Sequence, residues 1–209
     1  MRHPSIPLRT LAAPEPAYRR LPVLFLPFWI MALLFTRSQG AGSELYEGVE
    51  LLGFALIFAG ALGRLWCRLY SVGEDADALP RHGPYSLSRN PLYFFSLMVI
   101  VGICLGMENG FVAVISAIAA LAYFAFVLPI EEGAKLYRFR DAFLFYSARV
   151  PRLFPRFAFP RTRQLVRVDL RKLSLAILDV AILLSAVVFI EGLEMVESVH
   201  LLPHIPVPF

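Results

Sequence analysis

A short stretch of the sequence, Arg81–Tyr93, is rich in side chains that can bind a ligand. Arg89 can hold a carboxylate or a phosphate through its guanidinium group. Gly83-Pro84 predicts a turn that lets the backbone approach a ligand closely. Asn90-Pro91 predicts the start of a helix with the asparagine as N-cap, and free N–H groups at such an end attract anions. A plain capping turn beside lipid headgroups also explains these residues.

Two adjacent carboxylates, Glu131 and Glu132, follow a long apolar run. Successive side chains are roughly 100° apart around a helix, so one carboxylate should face the helical bundle and the other should face away. A carboxylate at this position can accept hydrogen bonds from a ribose or oppose a cation. The alternative is a solvated helix end whose carboxylates pair with Lys135 or Arg138.

The composition indicates the environment that holds these residues. Of the 209 residues, 58% are hydrophobic and only 17% are charged, and the mean hydropathy is +0.64. A soluble domain is rarely so apolar, which predicts an integral membrane protein. The formal charge of +4 is then expected to set the topology and to contact anionic lipid headgroups, and no nucleic acid partner is expected. The two cysteines have no metal-ligand spacing, and no GxGxxG or P-loop pattern occurs, so no metal site and no soluble nucleotide-binding fold are expected.

Five apolar runs approach or reach the length of a membrane-spanning helix. We therefore predict one all-α membrane domain over residues 1–209, with N-terminal helices in 1–63, a core that contains both polar stretches in 64–155, and a basic connector and last helix in 156–209. The first run is expected to remain as an anchor, because no small-residue cleavage site follows it. The five predicted segments are Leu21–Phe35, Val49–Trp66, Pro91–Met107, Phe111–Ile130 and Leu173–Ile190.

Predicted loops that are rich in lysine and arginine alternate with loops that have almost none. These basic residues are frequent before the first segment, before the third and after the fourth, whereas the other loops and the tail have almost none. Because basic loops stay in the cytoplasm, the N-terminus is predicted to be cytoplasmic and the C-terminus to lie outside.

The third and fourth segments are predicted to form a tight antiparallel hairpin, because Asn109-Gly110 is a turn signal between them. Arg81–Tyr93 and the twin glutamates occupy its cytoplasmic ends and are expected to lie together. Beyond the hairpin, Glu131–Arg149 has apolar side chains at three- and four-residue spacing, which predicts an amphipathic helix on the cytoplasmic surface. Val150-Pro151 is expected to end that helix.

These residues resemble two motifs of one family. Gly83-Pro84-Tyr85, Ser88-Arg89-Asn90-Pro91 and Tyr93 are similar to the GPYRYxRHPxY stretch of isoprenylcysteine carboxyl methyltransferases and phospholipid methyltransferases. Glu131-Glu132, Phe139, Tyr146, Val150-Pro151-Arg152 and Pro155 are similar to that family's EExxL…FGxxYxxYxxxVPRxxP stretch. The resemblance covers roughly Arg64 to Pro155. Many bacterial members have Arg-Asn-Pro at this point, which implies a bacterial inner (plasma) membrane.

The resemblance implies a membrane-embedded methyltransferase that uses S-adenosylmethionine and acts on a membrane lipid or lipid-linked acceptor. Arg89 and Glu132 are the expected catalytic residues. Aromatic faces and carboxylates attract a sulfonium, and an arginine suits the carboxylate of the cofactor. The residues expected to contact the cofactor are His82, Gly83, Tyr85, Arg89, Asn90, Tyr93, Glu131, Glu132 and Tyr146.

Four positions depart from the family pattern. Asn90 stands where histidine is common, Lys135 stands at a leucine, Arg140 replaces a glycine, and Phe143 replaces a tyrosine. The lost glycine is expected to matter most, because a side chain now projects where the backbone normally passes closely. Cofactor binding would then be altered, or lost in a degenerate member.

Several functional alternatives stay open. A lipid amine, a lipid-linked carboxylate or a small thiol could be the methyl acceptor, and an amine or a thiol would need a base such as Glu132 or His82. Membrane sterol and steroid reductases share a similar RHPxY stretch and bind NADPH, but they usually lack the Val-Pro-Arg ending. A non-catalytic membrane adaptor would keep the fold without the cofactor, and Lys135 and Arg140 favour it.

Polar residues elsewhere have simpler interpretations. Asp179, midway along the fifth segment, is expected to form a hydrogen bond to another helix. Arg64 and Arg68 share a helix face and are expected to contact lipid phosphates. His200 and His204 are a weak metal-binding pattern.

Overall fold

The computed structural model describes residues 36–38, 44–72, 78–107, 110–156, 158–162, 170–197 and 205–207. Most of these residues are helical, which confirms the predicted helical class. The predicted first segment, Leu21–Phe35, lies outside the described residues, as do His200 and His204. In chain order the elements are β1 (Thr36–Ser38), α1 (Glu44–Val72), a 3-10 turn (Gly83–Ser86), α2 (Pro91–Gly106), α3 (Gly110–Phe139), α4 (Asp141–Ser147), α5 (Leu170–Glu197) and β2 (Ile205–Val207).

Each of the other four predicted segments coincides with a helix: α1, α2, α3 and α5. Within the described residues, two helices are long and apolar enough to cross a membrane, Glu47–Ser71 in α1 and Gly110–Phe139 in α3. The apolar helices Pro91–Gly106 and Leu173–Phe189 are shorter than the usual spanning length. The described part of the chain thus has the helices of a membrane-associated protein, and a count of five spanning helices stays a prediction.

Helices α1 and α2 pack with their backbones almost in contact. A Cβ atom added to Gly53 would lie 2.4 Å from the backbone nitrogen of Gly106 and 2.8 Å from the carbonyl oxygen of Gly102. One added to Gly60 would lie 2.6 Å from a side-chain carbon of Val99. Small residues let apolar helices approach this closely where lipid offers no hydrophobic driving force. This seam holds α2, and therefore the loop before it, firmly against α1.

The predicted amphipathic helix over Glu131–Arg149 is wrong as one unit. Residues 131–139 continue α3, and only Asp141–Ser147 form a separate short helix, α4. The break is at Arg140, whose φ of 44° and ψ of −120° lie in a region that favours glycine. Apolar side chains keep the same spacing on both sides of a one-residue break, so the periodicity could not reveal it. The strain at such a position costs about 1–3 kcal/mol.

Strands β1 and β2 form a short pair that the sequence did not predict. The strands are parallel, with Thr36 opposite Ile205, Arg37 opposite Pro206 and Ser38 opposite Val207. Three residues are too few for an alternating pattern to be recognised, and a proline inside a strand argues against that assignment.

Helix α5 is held by a group of polar side chains that we call the helix clip: Arg64 of α1, Ser96 of α2 and Asp179 of α5. Arg64 Nη2 donates to Asp179 Oδ2 at 2.8 Å and to Oδ1 at 3.1 Å, and Arg64 Nε donates to Oδ2 at 3.2 Å. Arg64 Nη1 donates to Ser96 Oγ. The interhelical bond predicted for Asp179 is confirmed. The lipid contact predicted for Arg64 is wrong, because its guanidinium turns inward to this carboxylate.

Candidate functional site

The hairpin of α2 and α3 brings the two polar stretches of the sequence into direct contact. Asn90, just before α2, donates from Nδ2 to Glu132 Oε1 at 3.1 Å. Arg89 Nη1 lies 3.4 Å from Glu132 Oε2. The geometry predicted from the turn at residues 109–110 is therefore confirmed, although Glu108 and Asn109 lie outside the described residues. We call Arg89, Asn90, Glu132, Lys135 and Arg152 the mouth cluster.

Glu132 is the centre of the mouth cluster. It is only 6% exposed, so its charge has to be compensated by neighbouring groups rather than by water. Besides Asn90 and Arg89, Arg152 binds it twice, from Nε at 3.1 Å and from Nη2 at 3.0 Å, both to Oε2. Two guanidinium groups and one amide thus hold a single buried carboxylate, which fixes its position.

Asn90 occupies the N-cap position of α2, as predicted, but its side chain does not cap the helix. Its backbone has φ −134° and ψ 57°, and its side chain makes no capping hydrogen bond. The amide instead donates to Glu132 and, at 3.1 Å, to the carbonyl oxygen of Arg152, while its Oδ1 accepts from Lys135 Nζ at 2.8 Å. The oxygen that would accept from the first turn of α2 therefore accepts from the ammonium group of Lys135, a charged donor that forms a stronger hydrogen bond than a neutral backbone N–H. Pro91 occupies the first turn of α2, as predicted.

A segment that follows α4 closes over the loop before α2. We call it the strap and define it as Pro151–Arg156 with residues 158–161. Ser88, which is fully buried, donates from Oγ to the carbonyl oxygen of Leu153 at 2.8 Å. The backbone bonds between the strap and the loop are Arg89 N to Pro151 O at 2.8 Å, Arg156 N to Leu87 O at 3.1 Å and Gly83 N to Arg161 O at 2.8 Å. The strap therefore positions Arg152, a cluster member that the predicted set of site residues omitted.

Tyr146 of α4 reaches the same loop. Its hydroxyl donates to the carbonyl oxygen of Tyr85 at 2.6 Å, and its ring is buried beside Phe143 and Leu79. Phe143, which replaces a family tyrosine, is 4% exposed and supports Tyr146 through ring packing. The contact of Tyr146 is with loop backbone, so the structure gives it a part in fixing the loop.

The other predicted residues lie at the same end of the hairpin. Gly83 has φ +58°, and a Cβ there would lie 2.7 Å from the ring of Tyr70, so only glycine fits this turn. The ring of Tyr93 packs edge-on against Phe124 of α3, with centroids 4.9 Å apart. His82 and Glu131 are half-buried at the rim. The set thus shares one location, and direct contact with Glu132 is established for Arg89 and Asn90.

One donor of the mouth cluster has no acceptor. Among the side chains that the structure describes, Arg89 Nε is the buried polar atom without a hydrogen-bond partner. A buried donor left unsatisfied costs about 1–3 kcal/mol, so the site favours a ligand that brings an oxygen acceptor. A carboxylate or a hydroxyl group has the right chemistry. No group of three or more His, Cys, Asp or Glu side chains suited to a metal ion occurs in the described ranges.

The described residues define the class as a helical membrane-associated protein. Two of its apolar helices are long enough to span a bilayer, and a charged cluster lies at the polar end of a hairpin. Within that class, the family model described as phospholipid methyltransferase matches residues 51–139. This match confirms the resemblance inferred from the two motifs. The matched residues include Arg89, Asn90, Glu132 and Lys135, whereas Tyr146 and Arg152 lie beyond them.

Two curated relatives extend the similarity over most of the chain. The "Cobalt-zinc-cadmium resistance protein CzcN" of Cupriavidus metallidurans is 29% identical over 175 residues, which cover 84% of this chain and 81% of the relative. The "Nickel-cobalt-cadmium resistance protein NccN" of Alcaligenes xylosoxydans xylosoxydans is 27% identical over 207 residues, 95% of this chain and 97% of the relative. No solved structure matches the chain significantly.

Proposed function

We propose that this protein transfers a methyl group from S-adenosylmethionine to a membrane-associated acceptor. The match of residues 51–139 to the phospholipid methyltransferase family model supports the reaction class. The observation that carries the proposal is the mouth cluster, in which buried Arg89 keeps one donor free beside a fixed carboxylate. The apolar helices around the cluster support a lipid or lipid-linked acceptor that enters from the bilayer.

The residues at the mouth fit the parts of this cofactor. Arg89 Nε would hold its carboxylate, because a buried guanidinium donor prefers a charged oxygen. Tyr85 and Tyr93 provide aromatic rings at the same end, and aromatic faces attract a sulfonium. The strap keeps the loop backbone in place while Gly83 lets it turn tightly. The chain therefore contributes binding, orientation and exclusion of water, which together can supply much of the rate of an in-line displacement.

When bound, S-adenosylmethionine supplies an electrophilic methyl group on a positively charged sulfur. An electron pair of the acceptor forms the new bond to the methyl carbon while the S–CH3 bond breaks, and the bonding pair remains on the sulfur of S-adenosylhomocysteine. Glu132 is already held by Arg89, Asn90 and Arg152. We therefore assign it as a positioning residue that orients Arg89, in place of the catalytic role first expected.

Calorimetric titration of the detergent-purified protein tests this function. We expect S-adenosylmethionine and S-adenosylhomocysteine to bind and NADPH not to bind. Arg89→Gln should weaken binding of both about tenfold or more, because it removes a charge-assisted hydrogen bond. The matched control is Arg138→Gln, which removes the same charge from an exposed position on α3 and should bind normally. Binding of NADPH alone would assign the reductase function instead.

A second candidate is a non-catalytic adaptor, and one observation favours it. The carboxylate of Glu132 is engaged by donors from the chain itself, and Lys135 occupies the Asn90 oxygen. Such a closed cluster could serve the fold without a cofactor. Failure of the wild-type protein to bind either adenosyl compound, in a preparation that unfolds cooperatively, would favour the adaptor.

The names of the relatives point to a physiological setting. Both are called resistance proteins for cobalt and cadmium together with zinc or nickel. We propose that this chain acts in the same setting, and that its methyl transfer is needed there. Expression in a metal-sensitive bacterial host should raise cobalt and cadmium tolerance, and Arg89→Gln should abolish the gain. Equal tolerance with wild type and variant would show that resistance does not depend on methyl transfer.

A further inference from the structure

The mouth cluster has more positive than negative side chains. Three cations, Arg89, Lys135 and Arg152, lie beside the carboxylate of Glu132. Even when the adjacent Glu131 is counted with the cluster, the formal charge is +1. Glu132 and Arg89 are largely buried, and charges in such surroundings interact much more strongly than in water. A ligand that adds further positive charge should therefore be opposed, and one that adds negative charge should be favoured.

Lys135 is the cation that creates the excess, and it is fixed in place. Its Nζ donates to Asn90 Oδ1 at 2.8 Å, and the amide of the same asparagine donates to Glu132. The ammonium group is therefore anchored in the site instead of extending freely into solvent. Its positive charge is therefore a fixed part of the site.

The cofactor and its product differ by about one unit of charge. S-Adenosylmethionine has a net charge of about +1 at neutral pH, because its sulfonium adds to a balanced amino acid group, whereas S-adenosylhomocysteine is neutral overall. A site with excess positive charge disfavours the first relative to the second. An acceptor that brought an ammonium group as well would increase the repulsion, and an anionic acceptor would remove it.

We propose that Lys135 is a specificity-determining residue that selects an acceptor with an anionic group, a carboxylate or a phosphate, and rejects an amine. This proposal rests on the proposed methyl transfer and narrows its substrate class. It also makes binding of cofactor and acceptor mutually dependent, since the negative charge of one compensates for the positive charge of the other.

The first test compares the two adenosyl compounds by calorimetry in a neutral detergent. Wild-type protein should bind S-adenosylhomocysteine about tenfold more tightly than S-adenosylmethionine, as expected for one unit charge in a partly buried site. Lys135→Met should bring the two affinities to within about twofold. Lys135→Arg keeps the charge and should keep the preference, and it remains informative if the methionine variant folds poorly. Arg138→Gln, one turn further along α3, has the same change in net charge and should leave the ratio unaltered.

The second test identifies the anion. The affinity for S-adenosylmethionine is measured in neutral micelles doped with myristate, tetradecyl phosphate or tetradecylamine, for wild type and Lys135→Met. One or both anions should strengthen S-adenosylmethionine binding to wild type about fivefold more than binding to Lys135→Met. The anion that has this effect identifies the anionic group of the acceptor. An equal or greater effect of the amine overturns the proposal. If neither adenosyl compound binds, the proposed methyl transfer itself is contradicted. If both bind, and the ratio of their affinities is the same in wild type and Lys135→Met, only the role of Lys135 is contradicted.

Discussion

The helix clip and the mouth cluster both join distant parts of the chain through charged side chains, but they differ in how completely those charges are matched. In the clip, one guanidinium meets one carboxylate, and Nε, Nη1 and Nη2 of Arg64 all donate to protein oxygens. In the mouth cluster, two guanidinium groups share the carboxylate of Glu132, Lys135 adds a further cation, and Arg89 Nε donates to nothing. The clip is complete by itself, and the cluster is not.

This difference separates a structural contact from a ligand site. Polar groups inside an apolar bundle are costly, and a fully satisfied pair offsets its own cost. An incomplete group keeps part of that cost until a ligand arrives, and that retained cost favours binding. The following predictions test whether the two groups really differ in this way.

The largest effect is expected from Glu132→Ala. It would leave the cations of Arg89 and Arg152 near one another without their shared carboxylate, and removing one partner from a buried ion pair costs about 3–5 kcal/mol. Denaturant titration in mixed micelles would measure the loss, with Glu47→Ala on the exposed face of α1 as a control that should change stability by less than about 0.5 kcal/mol. A cost for Glu132→Ala as small as that of the control would mean that the cluster is not held by its carboxylate.

An intermediate effect is expected in the clip. Arg64→Met or Asp179→Leu alone should destabilise by about 1–3 kcal/mol, since each leaves a charge unpaired between helices. The double variant should recover most of the loss, because apolar side chains of similar size replace the whole pair. The same titration, arranged as a double-mutant cycle, checks this. If the losses simply add, Arg64 and Asp179 are not the matched pair described above, and the contrast with the mouth cluster fails.

The smallest effect is expected at the junction between α3 and α4. Arg140→Gly should stabilise the protein by about 1 kcal/mol, because glycine adopts φ 44° without strain. Arg138→Gly, inside α3, should have the opposite sign and cost about 1 kcal/mol. Thermal unfolding followed by circular dichroism would compare the two variants, and destabilisation by both would contradict the strained backbone at Arg140. Since this junction links Glu132 to Tyr146, a large gain in ligand affinity on Arg140→Gly would show that the strain also limits the site.

Most of the fold was predictable from local pattern. The apolar runs located four helices, and the turn at residues 109–110 together with the two motifs brought Arg89 and Glu132 to one end of a hairpin. A carboxylate within an apolar segment required a partner, but Arg64 lies 115 positions from Asp179 and could not be chosen from the sequence. Long-range choices of this kind depend on how helices are arranged, which composition and periodicity do not encode.

The errors arose where a distant group outcompeted a local preference. Asn90 has the sequence context of an N-cap, yet Lys135, 45 positions away, takes the side-chain oxygen that would cap the helix. Arg152 belongs to the motif Val150-Pro151-Arg152 and directly follows a proline that ends a helix. That position indicates a change of chain direction, which here returns Arg152 to Glu132. At Arg140 the sequence predicts an effect of the added side chain, whereas the structure shows that the backbone adopts a conformation that favours glycine.

The small strand pair has a consequence for how the chain threads through a bilayer. Ser38 lies before α1 and Ile205 after α5, and these segments can form hydrogen bonds to each other only from the same compartment. We therefore predict that the polypeptide crosses the lipid an even number of times between them. If α1, α3 and α5 all cross, α2 must cross as well, although it has only 16 residues. Accessibility labels placed beside Ser38 and at Phe209 should accordingly react with the same impermeant reagent.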